Sequence, residues 1–242
     1  MIVKTQEEKQ YWQLIKDIGS YNDKWADSVI TKSDIISKLI KSLDASATTV
    51  LFTSFNPIAL DLAGEFEVTI VCDKSMEAVF DLNNVIRVDK ISDITTKFDI
   101  VLALDEYFTY IDSEQSQREL VEDIGRMVDG WLITTLQDYK NFAPYKKNQI
   151  DAIAVNGSNN YIMLENSIAD KSDKQVWNHY WYCIKDHVNL LTIGPLVRRT
   201  MYFKQMAKYT SDAGGKQYVV QKNLLYKGFF SKNFEHIITV KF

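Results

Sequence analysis

The 242-residue sequence is poor in the residues that metal centres, disulfide frameworks and flexible linkers require. Its two cysteines, Cys72 and Cys183, lie far apart and form no C-x-x-C pair, so neither a disulfide framework nor a zinc site is expected. Three histidines argue against a histidine-rich metal centre, and we expect no bound metal. Three prolines and nine glycines leave little room for a long flexible joint between domains.

Long apolar runs are also missing, since none approaches the ~18 residues that a membrane span needs. The N-terminal segment MIVKTQEEKQYW is too polar for a secretory signal, so we expect a cytoplasmic protein without a membrane partner. Charge is unevenly distributed, because residues 196–242 hold nine basic and two acidic residues. This segment therefore has a net charge of +7. Because the whole chain has a net charge of −4, the remaining residues have a net charge of −11. Such a segment marks either an anionic partner, such as RNA, or an ordinary solvated surface.

Short runs of β-branched and aromatic residues alternate with helix-like segments from residue 49 onward. The runs are residues 49–53, 68–72, 85–88, 98–104 and 131–135. They are apolar on both faces, which is typical of parallel strands covered by helices on both sides of the sheet. Because crossovers between parallel strands are nearly always right-handed, we expect an α/β fold with a doubly wound, mostly parallel sheet.

Helices are predicted where apolar residues recur at helical spacing. One begins at a capping box formed by Thr5 and Glu8, and a second begins at about Ser33. Asn56 is a favourable N-cap and Pro57 a favourable first helical residue of a short helix that Gly64 ends. Further predicted helices run through residues 76–80, 120–127 and 196–209.

The chain after residue 140 is less regular. Strand-like segments there are residues 161–164, 177–184, 218–220, 224–226 and 236–242, and the last of them predict an antiparallel C-terminal hairpin. We therefore predict one domain over residues 1–242. It consists of N-terminal helices over 1–48, an α/β core over 49–140, and a C-terminal elaboration with the final strands over 141–242.

Polar residues follow four of the predicted strands at their carboxyl ends. They are Ser54 and Asn56, then Asp73, then Asp89, and finally Asp105 with Glu106. The carboxyl ends of parallel strands meet at one edge of a sheet, where the ligands of such folds bind. We therefore expect a binding crevice at this edge.

The order of these elements resembles the class I S-adenosylmethionine-dependent methyltransferases. VLFTSFNPIALDLAGEFEVTIVCDKSMEAV is similar to that family's first strand, cofactor loop, first helix and acid-ended second strand. NVIRVDKISDITTKFDIVLALDEYFTYI resembles its third and fourth strands, and RELVEDIGRMVDGWLITTLQ resembles the following helix and fifth strand. The upstream YNDKWADSV is similar to the aromatic segment that often closes over the cofactor. The resemblance implies a Rossmann-like fold, S-adenosylmethionine as cofactor, and methyl transfer to a small molecule or an exposed protein group.

The cofactor loop departs from the family's acid-x-Gly-x-Gly-x-Gly pattern. The matching positions here are Phe52, Ser54, Asn56 and Ile58. Glycine permits unusual backbone torsions and a close approach of the ligand, whereas Ile58 puts a branched side chain where the ligand would approach. Either the loop follows another path and the cofactor shifts, or the pocket no longer binds the cofactor. The alternative function is therefore a catalytically inactive binding or scaffolding module.

The resemblance assigns the cofactor site residue by residue. Asp73 would hold both ribose hydroxyls with its carboxylate, although an aspartate at that position is also a good helix cap. Asp89 would accept from the adenine amine while Ile91 packs on the ring. The full predicted cofactor set is Tyr21, Thr53, Ser54, Asn56, Asp73, Lys74, Asp89, Lys90, Ile91, Leu104 and Tyr110.

Methyl transfer needs alignment of the acceptor and, for some acceptors, removal of a proton. The candidate bases are Asp105, Glu106 and His179, although a histidine in the position of His179 is also compatible with simple packing. The neighbouring aromatic residues suit either a planar acceptor or the surface of a sheet. They are Trp177, Tyr180, Trp181 and Tyr182.

Other nucleotide and hydrolase chemistries lack their motifs. The sequence contains no G-x-x-x-x-G-K-[ST], no G-x-S-x-G and no G-x-G-x-x-G. It also lacks the Asn/Asp-Pro-Pro-aromatic tetrad of methyltransferases that act on base amino groups. A methyltransferase for a small molecule or protein is therefore the leading hypothesis, with an inactive module and an RNA-directed enzyme as alternatives.

Overall fold

The described residues of the computed structural model form eleven β-strands and four α-helices. These residues are 9–10, 12–13, 16, 23–111, 113–139, 148–156, 159–173, 175–185, 188–222 and 235–242. The strands are β1 (Thr49–Phe52), β2 (Glu67–Val71), β3 (Ile86–Val88), β4 (Phe98–Ala103), β5 (Val128–Gln137), β6 (Asn148–Asn156), β7 (Asn159–Ala169), β8 (Val176–Lys185), β9 (Val188–Arg199), β10 (Gln217–Lys222) and β11 (Glu235–Lys241). The helices are α1 (Asp23–Leu43), α2 (Ile58–Leu62), α3 (Glu114–Met127) and α4 (Phe203–Asp212).

The central sheet has seven strands in the order β3-β2-β1-β4-β5-β11-β10. The first five are mutually parallel, and β11 runs antiparallel to both β5 and β10. This arrangement confirms the doubly wound, mostly parallel sheet and the antiparallel hairpin that the sequence predicts. The strand order reverses between β1 and β4, and at such a point the ligands of doubly wound sheets bind beyond the carboxyl ends of the strands.

Helices cover both faces of the sheet, because the strands are apolar on both faces. In β4, Ile100 and Leu102 belong to one buried cluster with residues of α1 and α2. Val101 and Ala103, which point to the opposite face, belong to a second cluster with residues of α3 and α4. The alternation of side chains along a strand thus divides the core into two layers. No helix among the described residues is long and apolar enough to cross a membrane.

A second sheet stands between β5 and α4 in the chain. Its four strands are antiparallel and follow the order β6-β7-β8-β9. In β8 and β9, Trp177, His179, Leu196 and Arg198 are buried on one face, whereas Val197 on the other face is 41% exposed. The buried face of this sheet therefore meets the rest of the fold.

Two helix predictions are wrong. Residues 196–199 are the end of β9, and the helix expected over 196–209 begins only at Phe203. Burial alternates over residues 196–199, which is the pattern of a strand with one covered face. Helix α4 then follows Tyr202, whose N–H donates to Gln205 Oε1 at 2.9 Å. Residues 76–80 do not form an α-helix either, because a short 3₁₀ turn spans Lys74–Ala78.

Other boundaries move without changing the element. Helix α1 begins ten residues earlier than the predicted Ser33, at Asp23. The capping box of Thr5 and Glu8 and the strand expected over 224–226 lie outside the described residues.

Candidate functional site

The loops at the carboxyl ends of β1, β2, β3 and β4 carry the predicted site residues. These strands are parallel neighbours, so their ends lie at the same edge of the sheet. Of the predicted cofactor residues, Tyr21 lies outside the described residues. The others can be followed loop by loop.

Hydrogen bonds fix the loop after β1 at both of its ends. Thr53 donates its N–H to the carbonyl oxygen of Leu102 at 3.0 Å. Asn56 is buried, and its Oδ1 accepts the N–H of Ile58 at 3.0 Å, which starts α2. Asn56 thus makes the hydrogen bond of a cap, but the helix begins at Ile58, one residue later than predicted, so that Pro57 occupies the N-cap position.

This loop does not require glycine. Among the described non-glycine residues, only Asp105 and Glu106 have a positive φ, so Ser54 and Asn56 keep ordinary torsions. Ile58 is 4% exposed and packs in the first core cluster, as does Phe55. The expectation that Ile58 points at the ligand is therefore wrong, because its side chain turns inward, while the side chain of Ser54 remains partly exposed.

Asp73 lies two residues after the end of β2 and caps the 3₁₀ turn that follows. Its Oδ1 accepts the N–H of Ser75 at 2.8 Å. The hydroxyl and the N–H of Ser75 lower the pKa of Asp73, and the charge of Arg87 acts in the same direction, so the carboxylate is ionised at neutral pH. A carboxylate offers about four acceptor positions, so the cap uses only part of its capacity. Lys74 beside it is exposed.

Arg87 organises the ends of β2 and β3, and sequence reasoning did not single it out. It donates to Glu77 Oε1 at 2.9 Å, to the carbonyl oxygen of Cys72 at 3.3 Å and to Asp89 Oδ1. Asp89 itself is exposed. The signal available in the sequence was an arginine two residues before the strand-end acid, because residues i and i+2 of a strand share a face.

Lys90 and Ile91 lead out of the third strand. Lys90 is exposed, and Ile91 begins a 3₁₀ turn over Ile91–Asp93. The side chain of Ile91 is partly buried against the second core cluster. One side of the Ile91 side chain thus packs against the protein, as expected for a residue that supports a flat ligand with its other side.

The loop after β4 sends two neighbouring carboxylates in different directions. Asp105 and Glu106 both have left-handed torsions, with φ of 54° and 57°. Asp105 is exposed, and its Oδ2 accepts a hydrogen bond from Asn56 Nδ2 at 2.8 Å, which links the loops after β1 and β4. Glu106 is only 5% exposed. Leu104, directly before them, is buried.

Glu106 is held in a polar network beneath the second sheet. Its Oε2 pairs with Arg198 Nη2 and accepts the hydroxyl of Tyr139 at 3.0 Å. Arg198 also donates to Thr109 Oγ1 at 3.1 Å from Nε and at 2.6 Å from Nη2. The guanidinium lies over the ring of Tyr110 at 4.3 Å. Burial, together with the charge of Glu106, raises the pKa of Tyr139 well above its usual range, so the phenol remains a donor.

The third candidate base, His179, lies on the second sheet. It is 1% exposed, and its Nδ1 is 2.8 Å from Ser167 Oγ on β7. Across the ladder it faces Leu196, two residues from Arg198, and it shares its face of β8 with Trp177. The catalytic roles of Asp105, Glu106 and His179 stay predictions, but only Asp105 of the three is exposed at the crevice.

Three members of the predicted aromatic cluster divide between the two faces of β8, and the side chain of the fourth, Trp181, lies outside the described set. Trp177 is buried and lies 5.6 Å from the ring of Tyr139. Tyr180 and Tyr182 point to the other face, where their rings stack at 6.3 Å. The described residues contain no group of three or more histidine, cysteine, aspartate or glutamate side chains arranged to hold a metal.

The strand order is that of the class I S-adenosylmethionine-dependent methyltransferase fold. A methyltransferase of this kind from Clostridium acetobutylicum superposes with a TM-score of 0.64 and 14% identity, covering 86% of this chain and 89% of its own. DesVI of Streptomyces venezuelae gives a TM-score of 0.72 at 9% identity, over 92% of this chain and 97% of that one. The sugar N-methyltransferase KedS8 of Streptoalloteichus gives 0.65 at 12% identity, over 86% and 85%.

These similarities establish the fold of the chain. Its sequence matches no protein-family model and no curated protein.

Proposed function

We propose that the chain binds S-adenosylmethionine at the carboxyl edge of its parallel sheet and transfers a methyl group to a small molecule. The observation that carries this proposal is the row of carboxylates at the ends of three strands. Asp73, Asp89 and Asp105 follow β2, β3 and β4, and Asp105 accepts a hydrogen bond from Asn56 in the loop after β1. The carboxylate oxygens at this edge suit the hydroxyl and amine donors of the cofactor's ribose and adenine.

The donor and acceptor groups at this edge fit such a cofactor. Asp73 is ionised and has acceptor capacity left for ribose hydroxyls. Asp89 is exposed and suits the adenine amine, and the half-buried Ile91 offers an apolar surface for the ring. Ser54 and Asn56 form a loop with ordinary torsions and an inward-facing Ile58, so the missing glycines do not exclude the cofactor. Thr53, Lys74, Lys90, Leu104 and Tyr110 complete the proposed set.

When bound, the cofactor supplies a methyl group already activated by the sulfonium, so the protein mainly aligns the acceptor. Asp105 is our proposed proton acceptor, because its carboxylate is exposed beside the loop after β1. Glu106 is occupied by Arg198 and Tyr139, which suits it to hold the loop in place. His179, on the buried face of the second sheet, is a further candidate base on the acceptor side.

A small-molecule acceptor is favoured by the neighbours of known chemistry. KedS8 is a sugar N-methyltransferase, and CalS10 of Micromonospora echinaspora, which has a TM-score of 0.63 at 11% identity, is an amino pentose methyltransferase. The RNA-directed alternative needs a solvent-facing basic surface. Arg198 is buried against Glu106, and Arg199 pairs with Asp173 at 2.7 Å, so these two arginines do not contribute to one.

Calorimetric titration with S-adenosylhomocysteine tests the proposal. At about 100 times the dissociation constant, a ligand that binds only the native state adds about 2.7 kcal/mol to the free energy of unfolding. We expect measurable heat and a corresponding rise in melting temperature. No heat and no stabilisation at millimolar ligand would contradict the proposal and favour the inactive scaffolding module.

A further inference from the structure

Arg198 joins two parts of the fold that are far apart in the sequence. It lies near the end of β9 in the second sheet, and its partner Glu106 lies in the loop after β4 of the central sheet, 92 residues earlier. Both side chains are almost fully buried, at 7% and 6% side-chain exposure. A buried charge needs a partner of opposite sign and good hydrogen bonds, so neither residue can be moved independently of the other.

The loop that Arg198 holds is one that would not keep its shape alone. Two consecutive residues other than glycine adopt left-handed torsions there, Asp105 and Glu106. Such torsions persist only where surrounding contacts determine them. The contacts on Glu106 include its N–H to Thr135 Oγ1 at 3.1 Å, its carbonyl oxygen to the N–H of Thr109 at 2.8 Å, and its carboxylate to Arg198 and Tyr139. With Glu106 anchored inward, the preceding Asp105 is turned outward to the crevice.

The chemistry at this position requires a guanidinium. Arg198 reaches Glu106 Oε2 and Thr109 Oγ1 at the same time, and its plane lies over Tyr110 at 4.3 Å and Trp177 at 5.3 Å. A lysine carries the same charge, but it has no planar fork and cannot stack on a ring in this way.

We propose that Arg198 is a positioning residue that couples the antiparallel sheet to the cofactor edge. By holding Glu106 inside, it sets the left-handed turn that presents Asp105 to the crevice and to Asn56. The inference rests on the proposed function, because its consequence is measured as affinity for the cofactor. Arg198 itself touches neither cofactor nor acceptor in this scheme.

The test compares Arg198→Lys with Arg199→Lys, a matched control in the next position of β9. Arg199 pairs with Asp173 away from the crevice, so its replacement leaves the loop after β4 intact. Calorimetry measures S-adenosylhomocysteine affinity, and hydrogen exchange of the peptide covering residues 104–111 reports the loop without any ligand. For Arg198→Lys we expect about tenfold weaker binding, within the 5–150-fold usual for coupling between separate sites. Exchange of the peptide should also be faster, because its opening becomes easier.

A second variant separates positioning from stability. Glu106→Gln combined with Arg198→Met removes both buried charges, so this double variant should regain most of the melting temperature lost by Arg198→Met alone. We expect its affinity for S-adenosylhomocysteine to remain low and its loop exchange to remain fast. Parent-like affinity in a stable double variant, or parent-like loop exchange in Arg198→Lys, would overturn the proposal. If the parent itself binds no S-adenosylhomocysteine, the proposed function fails, and the exchange of residues 104–111 alone decides whether Arg198 holds the loop.

Discussion

Replacing Asp73 with serine separates the two roles that this carboxylate can have. In the structure it is the N-cap of the turn Lys74–Ala78, with extended torsions of φ −64° and ψ 145° and a 2.8 Å bond from the N–H of Ser75. Serine is as good an N-cap as aspartate, whereas alanine costs about 1 kcal/mol at such a position. Asp73→Ser should therefore keep the melting temperature of the ligand-free protein.

The same change should damage cofactor binding. The N–H and hydroxyl of Ser75, with the nearby charge of Arg87, keep the pKa of Asp73 below its usual value, so its bonds to ribose hydroxyls would be charge-assisted. Each hydrogen bond to a charged group contributes roughly 1.5–3 kcal/mol. Loss of a single such bond, at ~1.4 kcal/mol or more, weakens binding by at least about tenfold. A serine hydroxyl cannot replace a two-oxygen acceptor, so we expect this loss in Asp73→Ser.

Isothermal titration with S-adenosylhomocysteine and thermal unfolding without ligand measure the two effects separately. Asp73→Ala should lose both stability and affinity. Asp81→Ser is a matched control, because Asp81 likewise accepts a backbone N–H two residues on, from Asn83 at 3.0 Å, in an exposed segment that leads into the start of β3. If Asp73→Ser binds S-adenosylhomocysteine as tightly as the parent, the ribose role of Asp73 and our model of the crevice are refuted.

Two further predictions concern the elements that support the crevice. Ile58→Ala should lower the free energy of unfolding by about 2–5 kcal/mol in urea titrations, because Ile58 is buried in the core, and a loss below ~1 kcal/mol would contradict this orientation. Burial alone would raise the pKa of Asp99, but the hydrogen bonds that its carboxylate accepts from Thr48 and Thr49 outweigh burial and lower the pKa. The ionised carboxylate therefore stabilises the folded protein at pH values above the pKa of aspartate in the unfolded chain, which is about 3.9. Asp99→Asn should therefore be less stable by ~1 kcal/mol at pH 7, with the difference shrinking as pH falls through the lowered pKa, and a constant difference down to pH 2 would refute the assignment.

Local patterns were sufficient for the parallel core. Short apolar runs that alternate with amphipathic helical segments predict strands buried on both faces. An acidic residue at the end of such a run can be recognised from the adjacent residues alone. This is why the succession of β1 to β5 along the chain, and the positions of Asp73 and Asp89 after β2 and β3, could be predicted from the sequence. The hairpin of β10 and β11 was predicted on the same basis.

Only the tertiary structure decided the elements whose environment comes from distant parts of the chain. Residues 196–199 pair with β8, and on one face Arg198 contacts Glu106 and Thr109 in the loop after β4. The sequence pattern alone was also compatible with a helix. Ile58 points into the core because α2 packs there. Glu106 and Arg198 meet across 92 residues, and that pairing turns two adjacent acids into an exposed and a buried carboxylate. Burial and ion pairing depend on which surfaces come into contact in the folded protein, and the local periodicity of the sequence does not specify these contacts.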